Sequence, residues 1–178
     1  MRYILVAEKS EKKALGRVSG AKVIITGVGA KNVIKTLKNL NIGQDDKVYN
    51  VGYCGAYGLP VGNVAIIGIA KLLPESEFNK PIWLELESVV TCYTANEFVK
   101  KADKVGCYDM ELYYIASFFP QVQSIKIVSD SLDYEEYKKA SFKKQWAAIR
   151  TILKITGEGK NDSIRAKKQK TPDITRNV

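Results

Sequence analysis

The sequence predicts an α/β protein, a largely parallel sheet covered by helices, on three observations. Apolar runs that read as buried strands recur early in the chain, at Tyr3–Ala7 (YILVA), Lys22–Thr26 (KVIIT) and Lys47–Val51 (KVYNV). Between the second and third, Ala30, Val33, Ile34, Leu37 and Leu40 fall at helical spacing. The connections are short and rich in glycine. Beta-helix-beta alternation at these lengths favours parallel strands joined by covering helices.

Each element follows from its residues. YILVA is a continuous apolar run, as expected of a central strand. Ser10 is placed to cap a short helix beginning near Glu11. KVIIT closes on "GVGAKN", and the amphipathic helix behind it is expected to run to about Asn41. After "GYCGAYGLPVG", Asn63–Ala70 reads as one long strand and Trp83–Thr91 as another. "DMELYYIASFF" reads as a buried helix and Ser124–Val128 as the last strand. Phe142, Trp146, Ile149 and Leu153 mark one face of a long final helix. Residues 1–156 are expected to form one domain, with 157–178 a polar, basic, flexible tail.

Composition narrows the function. A hydrophobic share of 46% reads as a soluble globular chain, and no apolar span reaches transmembrane length, so no membrane partner is expected. The N-terminal apolar run is too short for a signal peptide. Cys54, Cys92 and Cys107 are odd in number and widely spaced, so a reduced, cytoplasmic protein without a zinc site is expected. The net charge of +9 invites a nucleic-acid reading. It lies largely in lysine pairs on helix faces and in the tail, without interleaved stacking aromatics, so nucleic acid is not the expected partner. The chain has no histidine, which excludes Ser-His, Cys-His and histidine-metal chemistry.

Several short constellations carry two readings each. The glycines of "TGVGAKN" (26–32) fit an anion seat at a helix N-terminus or a tight strand-to-helix turn. Gly52 and Gly55 in "NVGYCGAYG" let the backbone approach a ligand, with amides pointing into a cleft. Cys54 between them reads as a packing residue, since nothing nearby would activate it. Asp109 and Glu111 open a helix and suit its dipole, or Glu111 accepts hydrogen bonds from a polyol at the sheet edge. In "VSDSLD", Asp130 or Ser131 fits a helix cap and Asp133 a first-turn acid.

Taken in order, these stretches resemble the superfamily of purine nucleoside phosphorylases and methylthioadenosine/S-adenosylhomocysteine nucleosidases over about residues 1–154. The resemblance rests on the first strand with its following glutamate, "TGVG", "VGYCGAYGLPVGN", "DMEL" and "VSDSLD". It implies a three-layer nucleoside phosphorylase-like fold, a mixed central sheet flanked by helices, and cleavage of an N-glycosidic bond without metal or cofactor. By position, Asp130 matches the acid that assists the departing purine, and Glu11 the residue that activates water. Glu111 matches the carboxylate that holds ribose hydroxyls, and Met110 the residue packed on the sugar. Phe98 and Val99 match a base-stacking pair. Gly52, Tyr53, Gly55 and Ser129 fall in the binding segments.

The departures bear on the nucleophile. Asn50 and "EKSEKKA" stand where phosphorylases of this resemblance carry arginines, and Tyr53 stands at a phosphate-contacting serine position. Losing those cationic forks favours water over phosphate. The V-G-D aspartate is Asn63, and the segment after it is shorter than usual. The resemblance thus implies a small-molecule purine nucleoside as partner and a homo-oligomer, dimer or hexamer. The alternatives are a phosphorylase using lysines such as Lys9 or Lys31, and a nucleoside-binding relative without turnover.

Overall fold

A computed structural model describes residues 1–139 and 141–158. The elements are β1 (Arg2–Val6), α1 (Lys9–Leu15), β2 (Ala21–Ile25), α2 (Ala30–Lys38) and β3 (Lys47–Tyr57). β4 (Val64–Ile67), β5 (Ile69–Leu72), β6 (Ile82–Trp83), β7 (Thr91–Thr94) and β8 (Gly106–Asp109) follow. The last are α3 (Leu112–Phe118), β9 (Gln123–Asp130), α4 (Tyr134–Lys139) and α5 (Lys143–Glu158).

The strands form one mixed sheet in the order β2-β1-β3-β8-β7-β5-β6, with β9 joining β3 to β4. Pairings of β1 with β2, β1 with β3, β3 with β9, β5 with β7 and β7 with β8 are parallel. Those of β3 with β8, β4 with β9 and β5 with β6 are antiparallel. One core cluster lies with α2 and α3 and a second with α1 and α5, giving the three layers expected. In the second, Trp146, Ile149 and Leu153 lock α5 onto β1, β3 and β9, as their spacing predicts.

β3 organises the molecule. Its residues Lys47–Asn50 pair with β1 along one edge, and Gly55–Tyr57 pair with β8. Between them, β1 and β8 part, and positions 51–54 have no strand neighbour on that edge among the described residues. On the other edge β9 runs alongside until a bulge, where Cys54 pairs with Val128 but Gly55 pairs with Asp130. Ser129 is the extra residue. Bulges re-aim side chains where they occur, and here the re-aimed residue is Asp130.

Several boundaries differ from expectation. The segment read as a glycine loop is strand: β3 continues through Gly52 and Gly55 to Tyr57. The single strand over Asn63–Ala70 breaks at Gly68, where a Cβ would lie 1.8 Å from the Ser88 carbonyl oxygen. The strand over Trp83–Thr91 survives only as β6 and the start of β7, and β8 was not anticipated. Ser10 is not the cap of α1; Glu8 occupies that position, and the Glu11 carboxylate reaches back to its amide. The "DME" of the expected helix is the end of β8 and the N-cap region of α3. Helix α5 runs two residues past the expected domain boundary, and the rest of the predicted tail lies outside the described residues. No helix among the described residues is long and apolar enough to cross a membrane.

Candidate active site

A cavity of about 280 Å³ opens where β1 and β8 separate from β3, at the carboxyl ends of β1, β3 and β9. Crevices outside strand carboxyl ends are the usual ligand sites of open α/β sheets. Nine of the ten residues singled out from the sequence line it: Glu11, Tyr53, Gly55, Phe98, Val99, Met110, Glu111, Ser129 and Asp130. Gly52 does not.

Glu11 sits at the third position of α1 with its side chain buried. One oxygen, Oε2, accepts from the amides of Ala7 (2.8 Å) and Glu8 (3.0 Å), so the helix-start reading holds. The other, Oε1, accepts from Tyr53 N at 2.8 Å, on the unpaired edge of β3. The carboxylate thus stands in for a missing strand neighbour. A Cβ on Gly52 would lie 2.5 Å from Oε1, so Gly52 clears space for Glu11 rather than for a ligand. Burial lifts the Glu11 carboxyl above its ordinary range, against the amide of Tyr53 and the charge of Lys126.

Asp130 is fully buried at the end of β9. Its Oδ1 accepts from Leu132 N (3.0 Å), and Ser129 Oγ lies 2.6 Å from Oδ2. Ser129 Oγ is also 3.0 Å from the Cys54 carbonyl. A hydroxyl has one proton, and a carbonyl can only accept. If Ser129 donates to Cys54, the short contact to Asp130 requires the proton to be on the aspartate. Burial raises the Asp130 carboxyl from its ordinary value, with the Ser129 and Leu132 hydrogen bonds opposing. Gly55 provides the room: a Cβ there would lie 2.8 Å from Asp130 Oδ1. The capping alternative falls to Asp133, whose Oδ1 accepts from Glu135 N at 2.7 Å in the first turn of α4.

The two acids of "DMEL" divide the two readings between them. Asp109 takes the structural one, since its carboxylate accepts from Leu112 N at the start of α3 and from Thr94 Oγ1 at 2.7 Å. Thr94 Oγ1 in turn accepts from Tyr113 N. Glu111 makes no cap hydrogen bond and turns to the cavity, where Oε1 accepts from Gly29 N at 2.9 Å. Of the two readings of "TGVG", the anion seat is filled by the protein's own carboxylate. Gly27 and Gly29, at φ 83° and 80°, meet the turn requirement. Burial, then the charge of Asp109, pushes the Glu111 carboxyl up to about 7, against Lys126 and the Gly29 amide.

Phe98 and Val99 line the cavity. Phe98 packs edge-on to Tyr134 (centroids 5.4 Å apart) and tilted on Tyr137. Tyr134 and Tyr137, three apart on α4, were not singled out from the sequence; their spacing behind Asp133 was the available signal. Glu97 and Tyr108 also escaped notice. Cys54 lines the cavity, but burial pushes its thiol well up, away from nucleophilic use.

Six lining side chains are carboxylic (Glu8, Glu11, Glu97, Asp109, Glu111 and Asp130), and among the described lining residues none is lysine or arginine. Lys126 lies outside the lining, with its Nζ 2.8 Å from Asp109 Oδ2. A lysine in the middle of the buried run "SIKIV" was the overlooked signal for it. No three metal-ligating side chains among the described residues are arranged to hold an ion.

No protein-family model and no curated protein matches the chain. Solved structures do. A Chlamydia trachomatis nucleosidase (MTAN) variant bound to MTA superposes with a TM-score of 0.72 at 15% identity, over 88% of this chain and 97% of its own. A Helicobacter pylori 5′-methylthioadenosine/S-adenosylhomocysteine nucleosidase, complexed with a substituted pyrrolidinol, gives 0.68 at 13% identity over 89% and 97%. A futalosine hydrolase of Helicobacter pylori gives 0.66 at 13% identity over 86% and 95%. This chain has the fold of these nucleosidases.

Proposed function

We propose that this chain, built on the nucleosidase fold, hydrolyses the N-glycosidic bond of a purine nucleoside of the methylthioadenosine/S-adenosylhomocysteine kind. The observation that carries the reading is the convergence of Glu11, Glu111 and Asp130, from three separate elements, on one cavity. Glycosidic cleavage needs an acid for the leaving group and a base for water, each tuned by its surroundings. Asp130, whose surroundings favour the protonated form, hands its proton to the departing purine while Phe98 and Val99 stack on the ring. Glu111 accepts from the ribose hydroxyls, with Met110 against the sugar. Glu11, fixed by three amides, takes the proton of the attacking water.

Water is favoured over phosphate by the sign of the cavity. A phosphate dianion entering among carboxylates without a lysine or arginine would meet repulsion and find no charge-assisted donor. The same carboxylates suit the positive charge that develops on the sugar as the bond breaks. A homo-oligomer in the cytoplasm, with residues 1–156 as its domain, completes the reading.

The test is a panel of purine nucleosides incubated with and without phosphate, followed by chromatography of free bases. Adenine release independent of phosphate is expected, and Asp130→Asn is expected to lose about 10³-fold of it while keeping its circular dichroism. Full activity in that variant sinks the assignment of the acid. Phosphate-dependent formation of ribose 1-phosphate replaces the hydrolytic reading with the phosphorylase.

A further inference from the structure

We propose that Lys126 is a positioning residue of this site: seated on Asp109 outside the cavity lining, its ammonium is the counter-charge for Glu11 and Glu111. The inference rests on the hydrolytic reading for its catalytic consequence, but not for its geometry. Lys126 is in mid-strand on β9, opposite Gly52 in the β3 register. Paired residues of neighbouring strands face the same side, so the lysine emerges beneath the glycine whose missing side chain clears space for Glu11. Its side chain is 2% exposed and that of Asp109 is 1% exposed, with Nζ and Oδ2 2.8 Å apart.

A buried ammonium is costly unless paired, and an apolar residue would fill this strand position more cheaply. The pair therefore asks for a reason. Asp109 is already satisfied by Leu112 N and Thr94 Oγ1. What the lysine adds is charge. Without it, three buried carboxylates, Glu11, Asp109 and Glu111, would lose that charge, and each would favour taking up a proton. A protonated Glu111 presents a hydroxyl where a ribose hydroxyl must donate. A protonated Glu11 cannot accept from water. The groups facing Lys126 are Asp109 on β8, Glu111 beside α3, Glu11 on α1, Cys92 on β7 and Cys54 on β3. Burial holds both thiols neutral, so the carboxylates alone answer to its charge.

Opposite signs distinguish a charge role from a packing role. The carboxyl carbon of Glu111 is followed by NMR in the free protein as pH is varied, with Glu111→Gln fixing its assignment. Lys126→Met is expected to move the Glu111 titration up by about one pH unit or more, and Asp109→Asn to move it down. Lys126→Arg is expected to keep it near wild type. Where Lys126→Met fails to fold, the Lys126→Met/Asp109→Asn double variant replaces the pair by neutral groups, and its titration should lie above that of Asp109→Asn alone. Shifts of one sign in both single variants, or a double variant indistinguishable from Asp109→Asn, overturn the proposal. Adenine release is measured beside the titration. Opposite shifts in a protein that cleaves nothing refute the hydrolase and support the counter-charge. Unmoved titrations in a protein that cleaves refute the counter-charge alone.

Discussion

Two glycine-bearing segments, 26–29 and 52–55, look alike in the sequence and do different work. In the first, Gly27 and Gly29 sit at positive φ between β2 and α2, and the turn needs their backbone freedom. In the second, Gly52 and Gly55 lie in an ordinary strand and need no unusual dihedral. There the requirement is volume, because a methyl group at either position would enter a carboxylate, of Glu11 or of Asp130. Each segment nonetheless ends in the same gesture, a backbone amide given to an acid: Gly29 N to Glu111 and Tyr53 N to Glu11. A glycine can be required by its own conformation or by a neighbour's side chain, and the second kind leaves no mark in its own dihedrals.

The sharpest break of that contrast is Gly52→Ala. Its Cβ would lie 2.5 Å from Glu11 Oε1, so the carboxylate must move, and a displacement of about 1 Å can cost 10²-fold in rate. Single-turnover base release should fall by about that factor or more with the fold intact; an active Gly52→Ala would mean that Glu11 does not need its place. Next comes the pH dependence of stability. Glu111 titrates near 7 when folded and near 4.5 as its reference, so over that window the folded chain holds the extra proton and loses stability as pH rises. Its share is at most about 3–4 kcal/mol, and urea unfolding across the window should show a flatter slope in Glu111→Gln. The smallest effect belongs to the turn. Gly29→Ala forces a side chain to φ 80°, ψ 164°, a region essentially reserved for glycine, costing about 1–3 kcal/mol, yet its Cβ meets nothing closer than Met110 Cε at 3.8 Å. The melting temperature should drop while base release per folded molecule persists.

The same contrast explains how far the sequence could be read. Helices α2 and α5 were visible because their apolar residues repeat at helical spacing, and β1 and β2 because they are continuous apolar runs. Asp130, Glu11 and Glu111 were legible because motifs in a fixed order singled them out, although each alone reads as a cap or first-turn acid. What stayed hidden depends on partners distant in the chain. Gly52 read as a loop glycine because Glu11, which needs its space, is 41 positions away. β8 is four residues long and ends in an acid, so nothing local marks "GCYD" as strand. Lys126 passed as part of an apolar run, since its purpose lies in Asp109 on another strand.

The extra residue in β9 changes the parity of the strand. Along a pleated strand, odd and even residues belong to opposite faces, and a register moved by one exchanges them. Were the same sequence paired with β3 without the bulge, Ser129 would stand opposite Gly55 and Asp130 would face the other layer of the molecule. The carboxylate reaches the cavity because the strand miscounts by one just before its end. The order Ser-Asp, which looks like ordinary turn chemistry, is thus a parity correction: the serine absorbs the odd residue, and the aspartate inherits the face.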